Sequence, residues 1–139
     1  MHIRWKTFLV VSQVAIAGAL ASAPAQGQTI TGSLTIALKS GESTEVGDLY
    51  WVVNCRSLLK GTPEAEVVDG PPGVSVAVGE AMVLPRYQKC ANRVPGGRLV
   101  ITAKDIEEPS YTPLTIRITY RTLDGDRKFS HVYNLSLVP

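Results

Sequence analysis

From Ile30 onward the chain alternates apolar and polar residues with a period of two, and no stretch carries the 3.6-residue spacing of an amphipathic helix. Residues 30–38 (ITGSLTIAL) are rich in β-branched side chains and predict a first strand, closed by the polar residues 41–47. In residues 49–55, Leu49, Trp51, Val53 and Cys55 share one face, which is expected to point inward. Residues 65–68 predict a short strand, and Gly70-Pro71-Pro72-Gly73 then forces a turn. Val74, Val76 and Val78 alternate with small residues, and residues 82–84 predict a further short strand before Pro85. Val94-Pro95-Gly96-Gly97 reads as a second turn, followed by a strand at residues 99–103. In the last two strands, Leu114, Ile116, Ile118 and Tyr120 form one inward row, and Phe129, His131, Tyr133, Leu135 and Leu137 form the other. Asp124-Gly125 between them predicts a hairpin.

About seven or eight short strands, with turns every ~8–15 residues, predict an all-β fold, a small antiparallel β-sandwich. In strand count and spacing the chain resembles a bacterial immunoglobulin-like domain, with residues 114–122 and 128–138 in the place of its last two strands. The resemblance implies an immunoglobulin-like β-sandwich over residues 26–139. It departs from the antibody-type pattern, where a Trp lies between the two cysteines and a Tyr sits two residues before the second. Here Trp51 precedes Cys55, and Tyr87 sits three residues before Cys90. The inter-sheet disulfide of antibody domains is therefore not implied.

Composition changes the picture at the N-terminus. Arg4 and Lys6 are followed by an apolar stretch, residues 8–20 (FLVVSQVAIAGAL), and then by Ala21, Ser22, Ala23 and Ala25. A bilayer span needs about 20 apolar residues, so this run is too short to cross as a helix. Its order of positive, apolar and small residues is that of a cleaved signal peptide, with Ala23-Pro24-Ala25 fitting the cleavage site and cleavage after Gly27 the close alternative. The expectation is a signal peptide at residues 1–25 and a single domain at 26–139. That domain would be periplasmic or secreted, without a transmembrane segment. The full chain has 14 Lys+Arg and 12 Asp+Glu. Removing Arg4 and Lys6 leaves twelve of each, a formal net charge of zero, which argues against general nucleic-acid binding. Cys55 and Cys90 are expected to be disulfide-bonded in an oxidising compartment. A two-cysteine metal site would lack further ligands, because His131 is the only other histidine besides His2.

Candidate chemistry is sparse, and neither a metal nor a cofactor is expected. Gly73-Val74-Ser75-Val76-Ala77 falls one residue short of a G-x-S-x-G nucleophile elbow and lies in a strand pattern, where that motif needs a strand–turn–helix context. His131 alternates with Phe129 and Tyr133 and reads as structural. Glu64, Glu66 and Asp69, and Asp105, Glu107 and Glu108, read as solvated loops, and Asp124 and Asp126 as a turn. What stands out is residues 85–98 (PRYQKCANRVPGGR), where Arg86, Lys89, Arg93 and Arg98 occur with no acid and Tyr87 beside them. A basic loop with an aromatic, tethered at Cys90, suits an anionic glycan, a lipid headgroup or an acidic protein face. The expected function is that of a non-enzymatic binding module of the cell envelope, contacting an anionic component or a protein partner. A structural protein pairing through a sheet edge is the second reading, and a small periplasmic enzyme the third.

Overall fold

The computed structural model describes residues 29–86 and 89–139. The signal-peptide reading of residues 1–25 and the reading of Tyr87 lie outside the described residues. No helix occurs among the described residues, and none is therefore long and apolar enough to cross a membrane. Nine strands follow one another among the described residues: β1 (Thr29–Lys39), β2 (Ser43–Leu49), β3 (Val52–Val53), β4 (Arg56–Ser57), β5 (Glu64–Asp69), β6 (Val74–Val83), β7 (Val94–Ala103), β8 (Ser110–Thr122) and β9 (Gly125–Val138). One sheet has the order β1-β9-β8-β5 and a second β2-β7-β6, while β3 and β4 form a small hairpin.

Both larger sheets feed one cluster of buried side chains. Leu114, Ile116 and Ile118 of β8 and Leu135 and Leu137 of β9 meet Leu99, Ile101 and Ala103 of β7. These are alternate residues, so the period-two pattern translates directly into one buried face per sheet. At about 25 cal/mol per Å² of apolar surface removed from water, this cluster is the main source of cohesion. The predicted last hairpin is borne out: β8 and β9 pair antiparallel from Ser110↔Leu137 to Thr122↔Gly125. Its two-residue loop is Leu123–Asp124, with Gly125 at a φ of 105°. Thr122 caps this turn, its hydroxyl donating to the Gly125 carbonyl at 2.6 Å and accepting from the Asp124 amide at 3.2 Å.

Five expectations change. The expected antiparallel fold contains a parallel pair, β1 with β9, aligned so that Ile36 and Leu38 lie beside Leu135 and Leu137. The polar stretch after the first strand is itself strand β2, with Val46 and Leu49 turned to the core and a bulge between Glu45 and Gly47. Residues 74–83 form one strand, β6, where two were expected. Gly96 and Gly97, read as a turn, lie inside β7. A Cβ at Gly96 would fall on the Leu49 carbonyl oxygen and one at Gly97 on the Val78 side chain, so glycine lets the backbones approach closely. The stretch read as one strand over residues 49–55 is likewise broken. Asn54 and Cys55 take φ of 51° and 60°, the two left-handed residues that a tight hairpin needs, and they link β3 to β4.

Registers divide the loops between two ends of the molecule. Residues 50–63, 84–93 and 123–124 connect strands at one end, and residues 40–42, 70–73 and 104–109 connect them at the other. The ten residues of β7 separate the two ends by roughly 30 Å at ~3.3 Å per residue.

Candidate functional site

At the first end, the loops of residues 50–63 and 84–93 are tied together. Cys55 and Cys90 form the expected disulfide, with Cα atoms 5.5 Å apart and 35 residues of separation. It joins the tip of the β3–β4 hairpin to the β6–β7 loop and is not buried between the two sheets. Cross-links of lesser strength run beside it. The Arg86 amide donates to the Tyr50 hydroxyl at 3.3 Å, and the Ser57 hydroxyl donates to the Pro95 carbonyl at 3.3 Å. The β8–β9 turn joins the same assembly through the Leu123 amide, which donates to the Leu58 carbonyl at 2.9 Å.

The structure redistributes the basic cluster. Arg86, Lys89 and Arg93 are exposed at this end. Arg98 is not part of that loop: it lies on β7 opposite Asp48 of β2, and its Nε sits 3.5 Å from the Asp48 carboxylate. Arg86 also borders a depression of about 380 Å³ that it shares with Glu45, Asp48, Tyr50 and Leu84. The absence of acids from residues 85–98 in sequence therefore does not survive folding, because β2 brings two carboxylates alongside. Arg93 donates from its guanidinium to the Met82 carbonyl at 3.3 Å, which fixes it against the end of β6.

Two further cations, Arg56 and Lys60, come from the other loop of this end. Counting the connecting loops alone, Arg56, Lys60, Arg86, Lys89 and Arg93 against Asp124 leave a formal charge of +4. At the opposite end, Lys104 against Glu42, Asp105, Glu107 and Glu108 leaves −3. Residues 29–139, whose formal charges sum to zero, are thus strongly polar along their strands. The linear chain does not show this, since Arg56 and Lys60 lie far from residues 86–93. Their shared end could be inferred only through the disulfide.

Next to the basic loops, Tyr50, Trp51, Tyr120, Phe129 and His131 line a shallow cleft of about 200 Å³. The Trp51 indole lies 5.5 Å from Tyr120 and 5.7 Å from Phe129, centroid to centroid, and His131 stacks on Tyr133 at 6.4 Å. Trp51 thus finds its ring partners on β8 and β9. This is the inward row read from the alternation of residues 129–137, and His131 sits half-buried within it. Burial, followed by the neighbouring Tyr133 and Tyr50, pushes the Tyr120 hydroxyl up to about 12. Burial likewise pulls His131 below its ordinary value of 6.5.

These shifts have a sign for stability. Tyr120 is more readily ionised when unfolded, so its contribution is complete below pH 10 and is lost as pH rises towards 12. A gap of that size corresponds to about 2–3 kcal/mol. His131 acts in the opposite window, its contribution being lost as pH falls from 6.5 through its lowered folded value. Urea melts at a series of pH values should show both flanks, and Tyr120→Phe should flatten the alkaline one.

The remaining candidates are structural. Ser75 lies exposed on β6 opposite Thr102. Glu64 and Glu66 belong to strand β5 and not to a loop, and their carboxylates pair with Arg121 at 3.2 Å and Arg117 at 3.4 Å. Among the described residues, no three His, Cys, Asp or Glu side chains group closely enough to hold a metal ion.

No protein-family model matches the sequence, and no curated protein is significantly similar to it. Among solved structures, the chain is similar to one described as the solution structure of amebosin, at 18% identity. The match covers 79% of this chain and 98% of that one, with a TM-score of 0.39.

Proposed function

We propose that the protein is an exported, non-enzymatic binding module of the cell envelope. It contacts an anionic component, or an acidic protein face, through the disulfide-tied end. The observation that carries this reading is the partition of loop charge, +4 against −3, in a domain whose formal charges sum to zero. Such a dipole orients approach to an anionic surface and presents the acidic end away from it. The disulfide restrains both basic loops, which lowers the ordering cost of binding. The architecture we assign is an immunoglobulin-like sandwich. Apart from the β3–β4 hairpin, the seven long strands taken in chain order as A to G place B, E and D in one sheet and C, F and G in the other. Strand A stands beside G. Export as a signal-peptide-bearing precursor accounts for the disulfide.

Binding of the processed protein to inorganic polyphosphate, a soluble polyanion, tests the charge-based reading. Affinity should drop at least tenfold between about 50 and 500 mM salt, as screening shortens from ~14 to ~4 Å. Salt-independent binding, or none at low salt, would overturn it. A second reading, assembly through a sheet edge, is favoured by β6, a ten-residue outer strand of its sheet that carries the exposed Met82.

A further inference from the structure

We infer that the anionic component is a lipid surface, entered by apolar side chains that stand among the cations of the basic end. This inference rests on the function proposed above and deepens it by naming the class of partner. Among the described residues, four large apolar side chains are exposed at that end: Val53 at 50%, Met82 at 52%, Leu84 at 39% and Leu123 at 64%. They come from three segments. Val53 ends β3 just before the hairpin tip, Met82 and Leu84 flank the end of β6, and Leu123 is the first residue of the β8–β9 turn.

Hydrogen bonds and the disulfide hold these segments together. Leu123 is bonded to Leu58, Cys55 is bridged to Cys90, and Arg93 is bonded to Met82. The apolar side chains are therefore presented by a tied set of loops and not by independent tails. Exposed apolar residues alone would not single out this end, because Tyr111 and Val138 are exposed toward the other one. There, however, the loops are acidic and would be repelled by an anionic surface. Only the first end combines both requirements of interfacial binding: cations for the headgroups and apolar side chains for the acyl boundary. A soluble polyanion would engage the cations and leave Leu84 and Leu123 in water. An anionic bilayer accommodates both.

The same chemistry separates the two sources of phosphate. Processed protein should sediment with vesicles of roughly one part phosphatidylglycerol to two parts phosphatidylcholine, and not with phosphatidylcholine alone. The variant Leu84→Ser/Leu123→Ser alters exposed positions and should melt like the wild type. It should lose about tenfold in vesicle partitioning while its polyphosphate affinity stays unchanged. If the serine variant binds the vesicles as well as the wild type does, the lipid assignment is overturned and the charge-based function stands. If neither polyphosphate nor vesicles are bound, both fall together.

Discussion

Replacing Cys55 and Cys90 by alanine should lower the unfolding free energy by about 2–5 kcal/mol, the range for small secreted domains that lose a native bridge. Chain entropy supplies most of it, since a bridge across 35 residues restricts the unfolded chain by roughly 3–4 kcal/mol. Position adds to the effect. Strands β3 and β4 have two residues each, too few to hold a hairpin unaided. The alanine at position 55 would still occupy a left-handed backbone conformation that the bridge no longer enforces. Urea melts of the two forms measure the difference. A loss under about 1 kcal/mol would mean that the loops at this end are held by their hydrogen bonds and not by the bridge.

The second large effect concerns binding. In Arg86→Glu/Lys89→Glu/Arg93→Glu each change removes one positive and adds one negative charge, so the loop charge at this end moves from +4 to −2. The three side chains are exposed and lie outside the core. Stability should therefore change by no more than about 1 kcal/mol. Affinity for polyphosphate and for anionic vesicles should fall at least a hundredfold, at about 1 kcal/mol for each cation lost near an anionic surface and a comparable penalty for each anion gained. Arg98→Glu serves as the control. Paired with Asp48 on the strand face, it should alter binding far less than any member of the triple. Equal losses from Arg98→Glu would show that the contact surface extends along β7.

Alternation and a two-residue turn made the β8–β9 hairpin legible in the sequence, because the inward rows are mostly apolar and the outward ones mostly polar. The same rule failed for β2. That strand turns only Val46 and Leu49 inward, and its bulge interrupts the period at the point where alternation would have declared itself. Gly96 and Gly97 misled for a related reason, since a close approach of backbones and a turn both call for glycine. The parallel alignment of β1 on β9 leaves no local trace, because alternation reports which face is buried and not which strand lies alongside. The disulfide could be read by elimination from two cysteines, but its placement at one end could not. For the candidate site, the cluster of cations was visible and the withdrawal of Arg98 from it into a pair with Asp48 was not. The Asp48–Arg98 pairing depends on strand register, and a register is a property of two distant segments. The gathering of Val53, Met82, Leu84 and Leu123 beside those cations depends on three segments meeting, which no linear window contains.

Hydrogen exchange of residues 26–139 with and without polyphosphate tests the central proposal, that one end of this neutral stretch is its contact surface. Bound polyanion should slow exchange at residues 54–60 and 89–93, whose loops carry the cations. Exchange at residues 104–108, at the acidic end, should be unchanged. Protection at residues 104–108, or protection spread evenly over both ends, would contradict the account.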